Sequence, residues 1–155
     1  MAVRTESRIT ISGSVPDVWA YVCDVGRWPE WAPGVLECRA VGGAPLGPGS
    51  RVEQRAKGIL GRTRGRAQHV TAVEAPHSLA FAGPMGSSAA RWGMTLEPMA
   101  GRQTEALMWV EVDRGGIMRA IPDRVLAARI QRVSDTEMAA IKAAVESAAP
   151  GGSDS

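Results

Sequence analysis

The stretch that decides the fold is residues 24–31, which read Asp-Val-Gly-Arg-Trp-Pro-Glu-Trp. Pro33-Gly34 follows two residues later, so we predict a short helix that ends before Pro33. Upstream, Ser14 supplies a helix cap and Pro16 lies near the first helical position, which predicts another short apolar helix. We therefore expect two short helices in succession near the N-terminus.

Short alternating runs flank these two helices on both sides. Residues 3–12 alternate between polar and apolar side chains and predict a first strand. From residue 35 onward, short runs separated by Gly and Pro clusters are typical of an antiparallel meander rather than of βαβ units. The predicted further strands are at residues 35–41, 51–57, 62–74, 78–82, 88–97 and 104–113.

The C-terminal part predicts one long helix over residues 122–148, which contain no Gly and have Pro only at the first position. Such a helix is roughly 40 Å long. The apolar stripe of this helix must be buried against another element, and the sheet is the only predicted element that can cover it. We predict one domain over residues 1–148 and a frayed, disordered tail over residues 149–155.

Composition excludes several classes of function. Eighteen basic and sixteen acidic residues give a net charge of +2, which does not indicate a nucleic-acid partner. No stretch approaches the ~20 apolar residues of a membrane span, so we expect no membrane span and a cytoplasmic location. Cys23 and Cys38 form neither a disulfide framework nor a zinc pattern. Because no metal or nucleotide motif is present either, we predict no metal and no cofactor.

Strand, two short helices, six strands and one long helix is the element order of the helix-grip fold. In this α+β fold a curved antiparallel sheet of about seven strands wraps around a long C-terminal helix. In this order of elements, nearly the whole chain resembles the polyketide cyclase/START-like (SRPBCC, Bet v 1-like) superfamily. The residues that carry the resemblance are Val18-Trp19, residues 24–31 and Gly49-Ser50-Arg51-Val52, which open a strand. The resemblance implies a cavity between sheet and helix for a hydrophobic small molecule, with the second short helix at its mouth.

The resemblance to tetracenomycin-type aromatase/cyclases can be examined position by position. In those proteins one strand carries alternating Trp, Trp, Ser and Arg toward the cavity, and the mouth offers a Tyr. An ungapped alignment places Val35 at the mouth position and Gly65, Ala67, His69 and Thr71 on the strand. The polar set of those cyclases is missing here, although a different cyclase or dehydratase could use His69.

Period-two alternation predicts which side chains face the cavity. If Arg64 and Arg66 point outward, then Ala67, His69 and Thr71 point inward. His69 thereby becomes the candidate catalytic acid or base, or a ligand hydrogen-bond partner. The full predicted ligand-binding set is Trp28, Trp31, Val35, Ala67, His69, Thr71, Trp92, Met94, Met108 and Ile130.

The assignments of the tryptophans leave alternatives open. Trp28 and Trp31 stand beside prolines on a short helix and are predicted to gate the mouth, although Trp and Met side chains also form ordinary core. Trp109 falls on the outer face by parity, and a bulge would reverse that assignment.

The hairpin between the third and fourth strands carries a cluster of basic residues. If it turns symmetrically at residues 58–61, Lys57 lies opposite Arg62 and Arg55 lies opposite Arg64. This cluster is either a solvated face or a docking patch for an acidic partner such as an acyl carrier protein, or for an anionic head group.

Three functions follow as hypotheses from the sequence. The first is a cyclase, aromatase or dehydratase that acts on an aromatic or polyketide-like molecule. The second is a non-catalytic carrier or sensor of a lipid, isoprenoid or aromatic metabolite. The third is a protein-interaction module that uses the basic face. The chain is expected to be a monomer or a homodimer.

Overall fold

The computed structural model describes residues 2–42, 45–57, 63–85, 88–115 and 119–148. In these ranges the chain forms a seven-stranded antiparallel sheet, two α-helices and a 3₁₀ helix, so the predicted helix-grip fold is confirmed. Residues 149–155, predicted to be a disordered tail, lie outside the described residues.

The second to seventh strands follow one another in a meander, and the first strand lies at the edge of the sheet beside the last one. The strands are β1 (Ala2–Ser12), β2 (Val35–Val41), β3 (Arg51–Lys57), β4 (Thr63–Glu74), β5 (Ser78–Met85), β6 (Ser88–Met99) and β7 (Gln103–Asp113). The spatial order is β1-β7-β6-β5-β4-β3-β2, so every pair except β1 with β7 is a hairpin neighbour. Because consecutive strands pair directly, short turns suffice to connect them.

The helices form where capping residues and prolines direct the chain. Helix α1 (Val15–Cys23) begins at Ser14, whose hydroxyl accepts a hydrogen bond from the backbone N–H of Asp17, and it carries a proline at its start. The 3₁₀ helix Val25–Glu30 follows at once and packs on β2. Helix α2 (Asp123–Ala148) packs mainly on β1.

The core lies between the inner face of the sheet and the three helices. Helix α2 contributes a buried stripe at the spacing of one helix face: Leu126, Ile130, Ser134, Met138, Ile141 and Val145. Strands β6 and β7 contribute alternate residues, and among these Met94 and Met108 are almost fully buried. Sheet and helix therefore cover each other, as the apolar stripe of α2 required.

Trp109 lies on the outer face of the sheet, as its parity predicted. Its ring covers Gly93 of the neighbouring strand, where an added Cβ would stand only 2.6 Å from the indole. The guanidinium of Arg4 lies over the same ring, 5.1 Å from its centroid. Glycine at position 93 thus lets a large outer-face aromatic lie flat against the sheet.

Candidate functional site

Strand β4 presents a different face to the interior from the one predicted. Arg66 is half-buried and Gln68 and Val70 are buried, whereas His69 and Thr71 are exposed. The inward orientation predicted for Ala67, His69 and Thr71 is therefore wrong, and His69 pairs across the sheet with Arg51 on the outer face.

The physical reason for this correction has two parts. The prediction assumed that charged side chains point outward, but Arg66 and Gln68 point inward because they form hydrogen bonds there. A register shift between Val70 and Ala72 then changes the parity, so that Val73 beyond it pairs with the buried Leu79.

The inward polar residues of β3 and β4 form a connected hydrogen-bond network. The Oε1 atom of Gln54 accepts a hydrogen bond from Arg66 Nε at 2.6 Å and another from Gln68 Nε2 at 3.2 Å. The Oε1 atom of Gln68 in turn accepts one from the indole Nε1 of Trp92 at 2.6 Å. Because each member orients the next, the network fixes the position of the Arg66 guanidinium.

Glu137 of α2 stands opposite this network. Burial raises the pKa of its carboxyl group to about 7, and the positive charge of Arg66 opposes that rise. The same burial lowers the pKa of Arg66 from its ordinary value, against the attraction of Glu137. The charges of Arg66 and Glu137 therefore attract each other across the interior, but for each group this attraction is smaller than the cost of burial.

An aromatic cluster lies beside the network. The rings of Phe81 and Trp92 stack with a centroid distance of 4.5 Å, and Trp28 packs edge-on against both of them, at 5.3 and 5.5 Å. Trp31 completes the cluster, 5.6 Å from Trp28. Flat aromatic surface next to a few fixed polar groups is the usual composition of a small-molecule site.

Trp28 and Trp31 are core residues rather than an exposed gate. They are 1% and 3% exposed, respectively, and the indole Nε1 of Trp28 donates a hydrogen bond to the carbonyl of Val22 at 2.8 Å. The predicted position at an open mouth is therefore wrong, because the 3₁₀ helix turns both rings under itself and against the sheet.

The other predicted lining residues do reach the interior. Trp92 is half-buried, and the structure buries these further members of the predicted set: Val35, Met94, Met108 and Ile130. They belong to one continuous cluster of packed side chains. A ligand-binding role for them stays a prediction.

Two buried polar atoms on this side of the sheet have no hydrogen-bond partner in the described part of the chain. They are the Trp31 indole Nε1 and the Thr5 hydroxyl. A buried donor without a partner costs about 1–3 kcal/mol. Trp31 belongs to the aromatic cluster, whereas Thr5 lies on β1, at the opposite edge of the sheet from β2.

The basic cluster on the β3–β4 hairpin is arranged differently from the prediction. Arg55 pairs with Gly65 and Lys57 pairs with Thr63, whereas Arg64 pairs with Ala56 on the other face. Arg55 also forms a salt bridge of 3.1 Å with Glu37. The predicted pairing of Arg55 with Arg64 is therefore wrong by one residue, and Arg62 lies outside the described residues.

A pocket of about 590 Å³ opens between α1, the 3₁₀ helix and the sheet. Its walls include Trp19 and Cys23 from the helical segment and Cys38, Val73 and Leu79 from β2, β4 and β5. Cys38 connects it to the polar network, since its thiol is hydrogen-bonded with Gln54.

Neither a metal centre nor a membrane helix emerges from the described ranges. Within residues 2–42, 45–57, 63–85, 88–115 and 119–148, no three His, Cys, Asp or Glu side chains cluster so as to hold a metal ion. In those same ranges no helix has the length and apolar character needed to cross a membrane. The candidate site is the inward polar network together with Glu137 and the aromatic cluster.

The fold defines a class of protein, and solved structures share it over nearly the full chain. A START superfamily protein from Mycobacterium smegmatis aligns with a TM-score of 0.76 at 14% identity, covering 94% of this chain and 99% of that one. The Zhui aromatase/cyclase from Streptomyces sp. R1128 aligns with a TM-score of 0.77 at 12% identity, covering 100% of both chains. The di-domain ARO/CYC StfQ from the steffimycin biosynthetic pathway aligns with a TM-score of 0.76 at 12% identity, and the match covers 95% of this chain and 52% of that one. At these identities the likeness shows the fold alone.

The family is shown by a model of related sequences. Residues 2–146 match the family described as polyketide cyclase/dehydrase and lipid transport, and the chain belongs to this family. The predicted superfamily is thereby confirmed, and membership supports a hydrophobic-ligand-binding or cyclase role. None of the curated protein sequences matches this chain.

Sequence reasoning missed four residues of the site: Gln54, Arg66, Gln68 and Glu137. A signal existed for Glu137, because it stands seven residues after Ile130 and four before Ile141, on the edge of the apolar stripe. No comparable signal marked Gln54 or Arg66, since alternation alone cannot tell an inward polar residue from an outward one.

Proposed function

We propose that the protein binds a hydrophobic molecule bearing a carbonyl or enol oxygen between the inner face of the sheet and α2, and catalyses proton transfer on it. Arg66 holds the oxygen, and Glu137 moves the proton. The observation that supports this most is the pair of opposed, incompletely compensated charges on β4 and α2. Cyclisation, aromatisation and dehydration of such molecules all proceed through enolisation of this kind.

Arg66 is suited to holding an oxygen that gains negative charge. Its Nε is already engaged by Gln54 at 2.6 Å, which leaves the outer face of the guanidinium for a ligand. A preorganised cation in a partly dry site stabilises a developing enolate more strongly than water does. Arg66 thus supplies the electrostatic part of the proposed reaction.

Glu137 is suited to moving the proton. A carboxyl group with a pKa of about 7 is poised near neutral pH, where a general base is most effective. In the proposed step its carboxylate takes a proton from the carbon next to the carbonyl, and the electron pair moves onto the oxygen held by Arg66. Return of that proton to another position completes the transfer without any other reactant.

The proposal is tested with 1-phenylbutane-1,3-dione, a hydrophobic aromatic β-diketone, as probe. Binding is measured by calorimetry, and exchange of the central methylene protons in heavy water is measured by NMR. We expect the parent protein to bind the probe and accelerate the exchange, with the acceleration rising as the pH passes through about 7. Arg66→Gln should weaken binding by about 10- to 100-fold, the range for losing a charged hydrogen bond.

Glu137→Gln separates the two parts of the proposal. It keeps the size and hydrogen-bonding capacity of the side chain and removes its ability to accept a proton. We expect binding within about threefold of the parent and loss of the acceleration. Binding without any acceleration in the parent would contradict the catalytic part and leave a carrier, whereas no binding at all would contradict both parts.

The acyl carrier partner, the oligomeric state and the cytoplasmic location stay predictions. For the partner, Arg55 and Lys57 are both exposed on the outer side of β3, so these two residues are the part of the predicted patch that the structure brings together. A docking test therefore targets them rather than Arg64.

A further inference from the structure

The pocket of about 590 Å³ beside α1 lies apart from α2. Its lining comes from α1, the 3₁₀ helix, residues 45–46, β2, β4 and β5 with the turn between them, and includes no residue of α2. Neither Arg66 nor Glu137 contributes to it. Apart from Cys38, which is hydrogen-bonded with Gln54, its side chains therefore have no part in the proposed proton transfer.

The pocket has a neutral and largely apolar wall. Val25, Leu46, Val73 and Leu79 contribute aliphatic surface, and Trp19 contributes a half-buried indole. A volume of this size falls within the roughly 300–1,000 Å³ typical of small-molecule sites. An indole face together with aliphatic side chains favours a flat apolar ligand.

The polar groups of the pocket do not favour a charged ligand. Arg39 is exposed and already forms a salt bridge of 2.7 Å with Glu53, and Asp24 is exposed to solvent. Burial raises the pKa of the Cys23 and Cys38 thiols to about 11 each, so both are neutral at physiological pH. Thiols in this state act as small polarisable apolar groups that contact aromatic rings well.

We propose that this pocket is a second binding site, which takes a small neutral aromatic molecule independently of the site that faces α2. Trp19 and the Cys23 thiol contact the ring. The aliphatic side chains of β4 and β5 form the floor.

The two thiols provide a direct test, because they are the only cysteines of the chain. Indole serves as the neutral aromatic probe, and the rate of Cys23 modification by N-ethylmaleimide is followed by mass spectrometry in a Cys38→Ser background. The labelling is run at about pH 9, where a thiol of raised pKa still has some thiolate. We expect indole at about ten times its Kd to slow the modification about tenfold, by simple mass action.

Three variants in the same background make the test specific. Ala40→Trp and the milder Val73→Phe both fill the pocket and should abolish the protection by indole, and Ala139→Trp on the exposed side of α2 is the matched control that should keep it. Arg66→Gln should also keep it. This last variant separates the inference from the proposed function. Arg66→Gln should weaken binding of the β-diketone but keep the protection of Cys23 by indole.

Two outcomes would overturn the inference. One is an unchanged rate of Cys23 modification at every indole concentration that dissolves. The other is protection that persists in both pocket-filling variants or disappears in Arg66→Gln, since either result would place indole elsewhere in the protein.

Discussion

Arg66 on β4 and Glu137 on α2 interact through their charges across the interior without a hydrogen bond between them. Burial of Glu137 outweighs the attraction of Arg66, so the pKa of the carboxyl group is raised to about 7. A stabilising ion pair would lower this pKa instead. The arrangement therefore costs folding free energy, and groups with pKa values shifted in this way cluster at functional sites.

This relationship predicts how stability depends on pH. The folded pKa of Glu137 lies above its unfolded value of 4.5, so between about pH 4.5 and 7 the folded protein binds more protons than the unfolded chain. The free energy of unfolding therefore falls as the pH rises through that window. At pH 8 the penalty is on the order of 3 kcal/mol. Glu137→Gln should therefore be more stable than the parent at pH 8 and nearly equal to it at pH 4.5. Urea unfolding at both pH values measures this, and an equal difference at both would show that the carboxyl group ionises freely.

Trp28 is expected to be essential for stability because its ring contacts three other aromatic side chains and joins them into one cluster. Trp28→Ala should destabilise the protein by about 3–5 kcal/mol, the range for removing a buried Trp side chain. Trp19→Ala is the matched control, since that indole is half-buried at the pocket wall. Chemical unfolding of both variants checks this, and similar small losses would mean that Trp28 is not the centre of the core.

The sequence predicted the number and order of strands because most of them have one apolar and one polar face. Strand β7 shows this best, with Ala106, Met108 and Val110 buried and the residues between them half-exposed. The first helix was equally predictable from Ser14 and Pro16, whose effects are local. These features depend on neighbours in the chain and so can be read from it.

The candidate site could not be predicted in the same way, because it breaks the rule from which the strands were predicted. Arg66 and Gln68 are polar and face inward, and His69, which follows Gln68, faces outward. Beyond the shift at Val70–Ala72, Val73 pairs with the buried Leu79, so parity counted along β4 fails only before the shift. Functional sites are where such local inconsistencies are expected.

The hydrogen-bond network predicts a coupling between strands β4 and β6, which are separated by β5. Gln68→Leu removes the acceptor of the Trp92 indole at 2.6 Å and should cost about 1–3 kcal/mol, because the donor is left buried without a partner. In a Trp92→Phe background the same substitution should cost clearly less. A double-mutant cycle of urea unfolding measures the coupling energy, and additive losses would contradict a hydrogen bond between these two side chains.

The close approach of Trp109 to Gly93 predicts a strong effect of a single methyl group. In Gly93→Ala the new Cβ would stand 2.6 Å from the Trp109 ring and 2.8 Å from the carbonyl oxygen of Leu79, so the ring and the backbone must both move. We expect a loss of about 1–3 kcal/mol, typical of overpacking.

Gly65→Ala is the matched control for this prediction, because there the nearest atom, the carbonyl oxygen of Gln54, is 4.0 Å away. It should be neutral or stabilising, since alanine restricts the unfolded chain more than glycine does. Adding Trp109→Ala to Gly93→Ala should recover only part of the loss, because the contact with the Leu79 carbonyl remains. Thermal and urea unfolding of these variants compare the two glycines directly, and equal effects at positions 65 and 93 would show that the indole does not lie against the sheet.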